Sequence, residues 1–162
     1  MILISACLLG LNTKYDGKSN AHEIIMRYSS HGRFIPVCPE QLGGLPTPRP
    51  PAEIIAGTGD DVLQSKAKVI ADNGHDLTQQ FKAGTEQLLK ILDSFPITAA
   101  IFKERSPSCG VYQIYDGTFS HITRFGQGVA TAVLRKAGVM MIADDEVTEE
   151  KILQLLAADN FT

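Results

Sequence analysis

The fold is decided by residues 97–110, which read ITAAIFKERSPSCG. The first six residues are apolar apart from one threonine, and they predict a buried strand. Proline and glycine then end the strand in a polar turn that carries a cysteine, two serines, an acid and two bases. The carboxyl ends of parallel strands frame the ligand crevice in open α/β folds. This stretch therefore predicts a parallel strand that ends at a functional site.

The other two cysteines also close strand-like runs. Cys7 ends residues 1–7 (MILISAC), Cys38 ends residues 33–38 (RFIPVC), and Cys109 follows residues 97–102. A free cysteine often packs as a small apolar side chain, but here each is followed by loop-forming residues. If the three strands are parallel neighbours, three thiols meet at one edge of the sheet. Three thiolates suit a soft metal, zinc included, or an iron–sulfur cluster, and they leave a fourth metal position open.

Strands alternate with helices along the chain, which predicts a parallel sheet with helices on both faces. We therefore expect one domain over residues 1–162, a three-layer α/β/α fold with a mostly parallel, Rossmann-like sheet. The proline-rich stretch 46–51 predicts an extended loop, and residues 52–56 and 67–71 predict a hairpin on the surface. The predicted strands are 2–6, 34–37, 97–102 and 139–143, and the predicted helices are 21–29, 76–95, 129–136 and 148–158.

The composition excludes several classes of protein. With 162 residues, 44% of them hydrophobic and 20% charged, the chain is of ordinary globular type. The net charge of -3 gives no reason to expect nucleic acid or an anionic membrane as a partner. No apolar run reaches the roughly 18 residues of a membrane span, and the N-terminal residues lack the pattern of a signal peptide. An odd number of widely spaced cysteines argues against disulfides, so we expect a cytoplasmic protein with free thiols.

Two carboxylates and two serines are candidates for chemistry beside the cysteines. Glu40 lies two residues after Cys38 and Glu104 lies five before Cys109, so we expect both at the same crevice. Acids in loops are usually solvated, but a partly buried one can act as a general base that activates water. Glu40 is favoured because it lies between a proline and a double-glycine turn. Ser106 and Ser108 either form the turn or donate hydrogen bonds to a cluster or a substrate.

The remaining polar groups have simpler interpretations. Asp16, in a Tyr-Asp-Gly triplet, is expected to be a turn residue. Lys103 and Arg105 are either strand-end surface charges or groups that lower the pKa of a thiol or hold an anionic substrate. The Gly126-x-Gly128 pair before a helix suits either an anion or close helix–sheet packing. The four histidines show no ligand spacing and are expected to be structural.

Several blocks of the sequence together resemble one bacterial family, whose characterised branch is the 2-thiouracil desulfidases. The resemblance covers nearly the whole chain, and the blocks occur in the same order. The matching blocks are SACLLG at 5–10, YDG at 15–17, VCPEQLGGLPTPR at 37–49, KERSPSCG at 103–110, IYDGTF at 114–119 and GQGV at 126–129.

The resemblance implies a 4Fe–4S cluster held by Cys7, Cys38 and Cys109, with the fourth iron open to substrate. It implies an enzyme that removes sulfur from a small thiolated heterocycle such as 2-thiouracil and releases hydrosulfide without redox chemistry. By the same resemblance, Glu40 is the base that activates water. Ser106 is a hydrogen-bond partner of the substrate or of the leaving sulfur.

Two rival interpretations remain open at this point. The chain could be a non-catalytic module in which a cluster or a zinc ion senses redox state or holds the fold. Alternatively, Cys109 could act as a nucleophile, in which case Cys7 and Cys38 would not be equally necessary.

Overall fold

The structure is a computed structural model that describes residues 1–159 of the chain. These residues form eight strands and six α-helices, which alternate except where β5, β6 and β7 follow one another. The strands are β1 (Ile2–Ser5), β2 (Phe34–Val37), β3 (Ala52–Ile55), β4 (Lys68–Ala71), β5 (Ala99–Phe102), β6 (Gln113–Tyr115), β7 (Thr123–Phe125) and β8 (Met140–Ala143). The helices are α1 (Glu23–Arg27), α2 (Pro39–Leu42), α3 (Gly59–Leu63), α4 (Thr78–Ser94), α5 (Val129–Lys136) and α6 (Glu149–Ala158).

The central sheet has four strands in the order β2-β1-β5-β8, and every neighbouring pair is parallel. Successive residues of a strand point to opposite faces. Leu3, Ala100 and Phe102 accordingly pack on one face, in a core completed by residues of α4 and α5. Ile4 and Ile101 pack on the other face, in a core that includes residues of α1 and α6. The predicted α/β fold, with a parallel sheet flanked by helices, is confirmed.

Two hairpins lie beside this sheet. β3 pairs with β4 and β6 pairs with β7, both antiparallel. The first pair was predicted as a surface ribbon, and this placement is wrong. Ile54 and Val69 are 1% and 0% exposed, and they form a third core with residues of α3, α4 and α5. The hairpin is therefore an integral layer of the fold.

The helix boundaries differ from the prediction mainly where helices are short. The predicted loop after Cys38 begins with the single-turn helix α2, which proline at its first position favours. The helix predicted over 21–29 is reduced to the five residues of α1. Helix α5 has the predicted bounds, and none of the helices within residues 1–159 is long and apolar enough to span a membrane.

Candidate active site

A cavity of about 560 Å³ opens at the carboxyl ends of β1, β2 and β5. Cys7, Cys38 and Cys109 line it, and so do Glu40 and Ser106. The five residues that the sequence singled out for a site are thus brought into one cavity. Its volume is typical of sites for small molecules.

The order of the strands brings the three thiols together. Cys7 lies in the 3₁₀ turn Ala6–Leu9 directly after β1, and Cys38 lies between β2 and α2. Cys109 lies in the loop after β5. Because these three strands are adjacent and parallel, all three cysteines follow the same edge of the sheet. Neighbouring strands in a sheet lie about 4.8 Å apart, so the thiols are distributed over a short span.

Burial raises the pKa of all three thiols above the ordinary value. The thiols also influence one another, because negative charge on Cys38 raises the pKa of both Cys7 and Cys109. The metal-free thiols are therefore protonated near neutral pH. A metal binds the thiolate form of cysteine, so metal binding at this edge would release protons.

Each thiol has a polar side chain that acts on it. The Asn20 amide donates to Cys7 Sγ at 3.5 Å, and the Arg49 guanidinium lies 3.9 Å from Cys38 Sγ. A hydrogen bond from Ser5 lowers the pKa of Cys109 and so acts against burial. Donors of this kind orient ligating sulfurs and stabilise their anionic form.

Glu40 is held at the cavity by a buried arginine. Arg49 Nε donates to Glu40 Oε2 at 2.6 Å, and the two side chains are 4% and 15% exposed. The other guanidinium nitrogens donate to Thr47 Oγ1 and to the carbonyls of Pro46 and Thr13, at 2.9, 3.3 and 3.0 Å. Among residues 1–159 no second donor reaches the Glu40 carboxylate. One carboxylate oxygen is thus fixed and the other is available to a ligand.

Glu104 borders the same cavity, as expected, but its carboxylate is already in use. It is 4% exposed, and it accepts backbone hydrogen bonds from Val111 at 3.0 Å and from Tyr112 at 2.9 Å. The backbone N–H of Gln113 donates to it as well. A carboxylate whose oxygens accept three backbone amides closes the loop after β5, which favours a structural role for Glu104.

Ser106 combines a turn role with a free donor. Its Oγ accepts the backbone N–H groups of Ser108 at 3.1 Å and of Cys109 at 3.0 Å. These bonds fix the segment that carries the third thiol, and the Ser106 O–H can still donate. Ser108 is 2% exposed and does not line the cavity, so its structural interpretation is favoured.

The two bases of this loop are paired with acids. Lys103 Nζ contacts Asp144 Oδ2 at 2.7 Å, and Arg105 binds Asp145 through two hydrogen bonds of 2.9 and 3.3 Å. Lys103 and Arg105 both border the cavity. The charge of Lys103 also lowers the pKa of Cys7, against the larger effect of burial.

Two further candidates have local structural roles. Asp16 accepts hydrogen bonds from the Lys14 ammonium and the Lys18 backbone, both at 3.0 Å, as a turn residue does. At Gly128, an added Cβ would lie 2.3 Å from the Ser108 carbonyl oxygen. This glycine therefore allows α5 to pack closely against the loop of the third cysteine.

One wall of the cavity was not predicted from the sequence. The two hairpins supply this wall, through Glu53, Tyr115, Phe119 and His121. His121 was expected, like the other histidines, to be structural. Tyr115 and Phe119 lie within a block that carried the family resemblance, and this was the signal that could have singled them out. Their approach to the cysteines depends on contacts between distant parts of the chain.

A family model described as 2-thiouracil desulfurase matches residues 2–146 of the chain. The chain belongs to this family. The protein YbbK of Bacillus subtilis (strain 168) is 42% identical over 149 residues, which cover 92% of this chain and 99% of YbbK. The solved structure of the 4Fe–4S-dependent thiouracil desulfidase TudS matches with a TM-score of 0.81 and 38% identity, over 96% of this chain and 97% of that one. Membership of the 2-thiouracil desulfurase family confirms the resemblance seen in the sequence.

Proposed function

We propose that the chain is an iron–sulfur-dependent desulfidase of a small thiolated heterocycle such as 2-thiouracil. The reaction is the hydrolysis of a thiocarbonyl, in which water supplies the oxygen and sulfur leaves as hydrosulfide with no change of oxidation state. The observation that carries the proposal is the convergence of three cysteines and Glu40 on one cavity. Membership of the 2-thiouracil desulfurase family and the likeness to TudS support it.

The donor set fits a 4Fe–4S cluster bound by Cys7, Cys38 and Cys109. The three soft ligands follow adjacent strands and face one cavity. No three His, Cys, Asp or Glu side chains of residues 1–159 are placed around a single metal ion. A cluster does not require such convergence, because each thiolate binds a different iron. When bound, the cluster would supply an open iron that acts as a Lewis acid toward a thiocarbonyl sulfur.

The residues around the cysteines would perform the proton chemistry. We assign to Glu40 the role of general base, which takes a proton from the attacking water through the oxygen that Arg49 leaves free. Arg49 orients this carboxylate from a buried position. We assign to the Ser106 O–H a hydrogen bond to the substrate or to the leaving sulfur, because its oxygen already accepts two backbone amides.

The proposal extends to the protein's setting. We propose that residues 1–162 act as one domain in the cytoplasm, with a small molecule as partner and neither nucleic acid nor membrane. Three free cysteines and a net charge of -3 support this setting.

The test is anaerobic reconstitution with iron and sulfide, followed by iron counting and an assay of sulfide release from 2-thiouracil. We expect about four irons per chain and sulfide release without added reductant or ATP. Replacement of any one cysteine by alanine should abolish both. Iron uptake without turnover would support the non-catalytic module instead, and turnover that survives the loss of Cys7 and Cys38 would support a Cys109 nucleophile.

A further inference from the structure

One wall of the cavity is aromatic, and it is formed by the β6–β7 hairpin and not by the segments that carry the cysteines. Tyr115 ends β6, and Phe119 and His121 lie in the turn that connects β6 to β7. The Tyr115 and His121 rings pack edge-on against each other, with centroids 6.3 Å apart and an interplanar angle of 81°. Phe119 is partly buried and, within residues 1–159, belongs to none of the three cores and has no aromatic partner. Its ring therefore borders the cavity without belonging to any of these described cores.

The backbone that carries Phe119 is held in an unfavourable conformation. Phe119 has a φ of 57° and His121 a φ of 59°, in the left-handed region that residues with a side chain rarely adopt. Such conformations persist only where the surrounding contacts impose them, and they cluster at functional sites.

A buried acid holds the part of the turn that carries Phe119. Glu53 of β3 is 7% exposed, and its Oε2 accepts the backbone N–H groups of Gly117 at 2.9 Å and of Phe119 at 3.1 Å. At Gly117 an added Cβ would lie 2.7 Å from the Ile54 carbonyl oxygen, so the turn is docked closely on β3. Asp116 braces the same turn by accepting from the Thr118 backbone and hydroxyl.

We propose that Phe119 is the residue that recognises the ring of the substrate, by stacking on a planar heterocycle, and that Glu53 is its positioning residue. The inference rests on the proposed function, because it names the group that binds the substrate of that same site. An aromatic ring stacks on any flat π-system and adds affinity without hydrogen bonds. A turn fixed by a buried carboxylate loses little entropy when a ligand binds to it.

The proposal predicts a graded series of variants at position 119. Phe119→Ala should weaken binding of uracil, which has no sulfur to lose, to the cluster-loaded protein by on the order of tenfold. Phe119→Leu, which keeps apolar bulk without a flat ring, should resemble Phe119→Ala, and Phe119→Tyr should resemble wild type. The matched control is Phe125→Ala in the same hairpin, since Phe125 is 86% exposed and does not line the cavity. Binding is measured by calorimetry, which requires no turnover.

A positioning role for Glu53 has its own signature. Glu53→Ala should raise KM for 2-thiouracil with little change in kcat, whereas Glu53→Gln keeps one amide oxygen that can accept both backbone N–H groups and should restore wild-type KM. The KM for thioacetamide, a thioamide without a ring, should be unchanged by Phe119→Ala.

The outcomes separate this proposal from the desulfidase assignment. Equal binding of uracil by wild type, Phe119→Ala and Phe119→Leu overturns the stacking role even if sulfide is released normally. Absence of heterocycle binding to the wild type overturns it as well. Binding that weakens across the Phe119 variants, without sulfide release by the wild type, would support the stacking role of Phe119 and count against the desulfidase function.

Discussion

Two loop segments follow β2 and β5, the first beginning with the single-turn helix α2. Both carry a cysteine and a glutamate, and they use the glutamate differently. In the first loop, the Glu40 carboxylate meets one side chain, Arg49, and keeps an oxygen free at the cavity. In the second loop, the Glu104 carboxylate accepts three backbone amides. Proximity to a cysteine in sequence is therefore a poor guide to which acid can do chemistry. What decides is how many backbone donors the acid already satisfies.

The largest effect is expected from Glu40→Gln. Loss of a general base lowers the rate of sulfide release by about 10²- to 10⁴-fold. Iron content should stay as in the wild type, because the cysteines are unchanged. The measurement is sulfide release per bound iron under anaerobic conditions. A variant that loses iron together with activity would show instead that Glu40 supports the cluster.

Glu104→Gln should have the opposite pattern to Glu40→Gln, because it should lower the stability of the fold and leave the rate unchanged. The amide replaces one accepting oxygen with an N–H donor that faces a backbone N–H, which costs roughly 1–3 kcal/mol of unfolding free energy. The rate per bound iron should stay near that of the wild type. Urea unfolding and the sulfide assay on the same preparation test both parts. An unchanged urea midpoint with a collapsed rate would reverse the roles assigned to the two acids.

Arg49→Lys tests whether the first loop depends on the orientation of its acid. Lysine keeps a positive charge but cannot reproduce the five donors of a planar guanidinium. We expect a fall in rate of about tenfold, smaller than for Glu40→Gln, because the base remains but is less well oriented. The matched control is Arg105→Lys. Arg105 also borders the cavity, but it is bound to the half-exposed Asp145, so that variant should keep the wild-type rate.

The smallest effect concerns a carboxylate with a purely structural role, Asp76. Hydrogen bonds from Thr78, together with Lys68, lower the pKa of Asp76 to about 2. A lowered pKa contributes stability that is present above the ordinary pKa of the carboxyl and is lost as the pH falls from about 4 to about 2. The gap in unfolding free energy between wild type and Asp76→Asn should therefore narrow over that range. The narrowing amounts to a fraction of a kcal/mol of unfolding free energy, because the Asp76 side chain is 44% exposed. Parallel acid-unfolding curves would contradict this account.

The sequence predicted the central sheet well because its strands are short apolar runs with abrupt polar ends. The bounds of β2 and α5 agree with the prediction, and the cysteines meet because β2, β1 and β5 are neighbours. The three-residue strands β6 and β7 carry too few residues for a clear alternation.

The site was predictable where its members lie in the segments that begin at the carboxyl ends of the strands. The cysteines, Glu40 and Ser106 do so. Asn20 and Phe119 reach the cavity through loops whose course depends on long-range contacts, such as the hydrogen bond that the Phe119 backbone N–H donates to Glu53. The difference between Glu40 and Glu104 also lies in backbone contacts, and no local pattern of residue types reveals these.

The strand order has a consequence for how the site is made in the cell. Cys7 and Cys38 are synthesised early, but β5 must emerge and insert beside β1 before Cys109 can join them. Proteins are made from the N-terminus at about 5–20 residues per second, so the first two thiols wait several seconds for the third. A nascent chain that ends before residue 109 cannot present the complete ligand set. We therefore expect iron delivery to follow synthesis of the sheet, with the folded edge as the substrate of the assembly machinery.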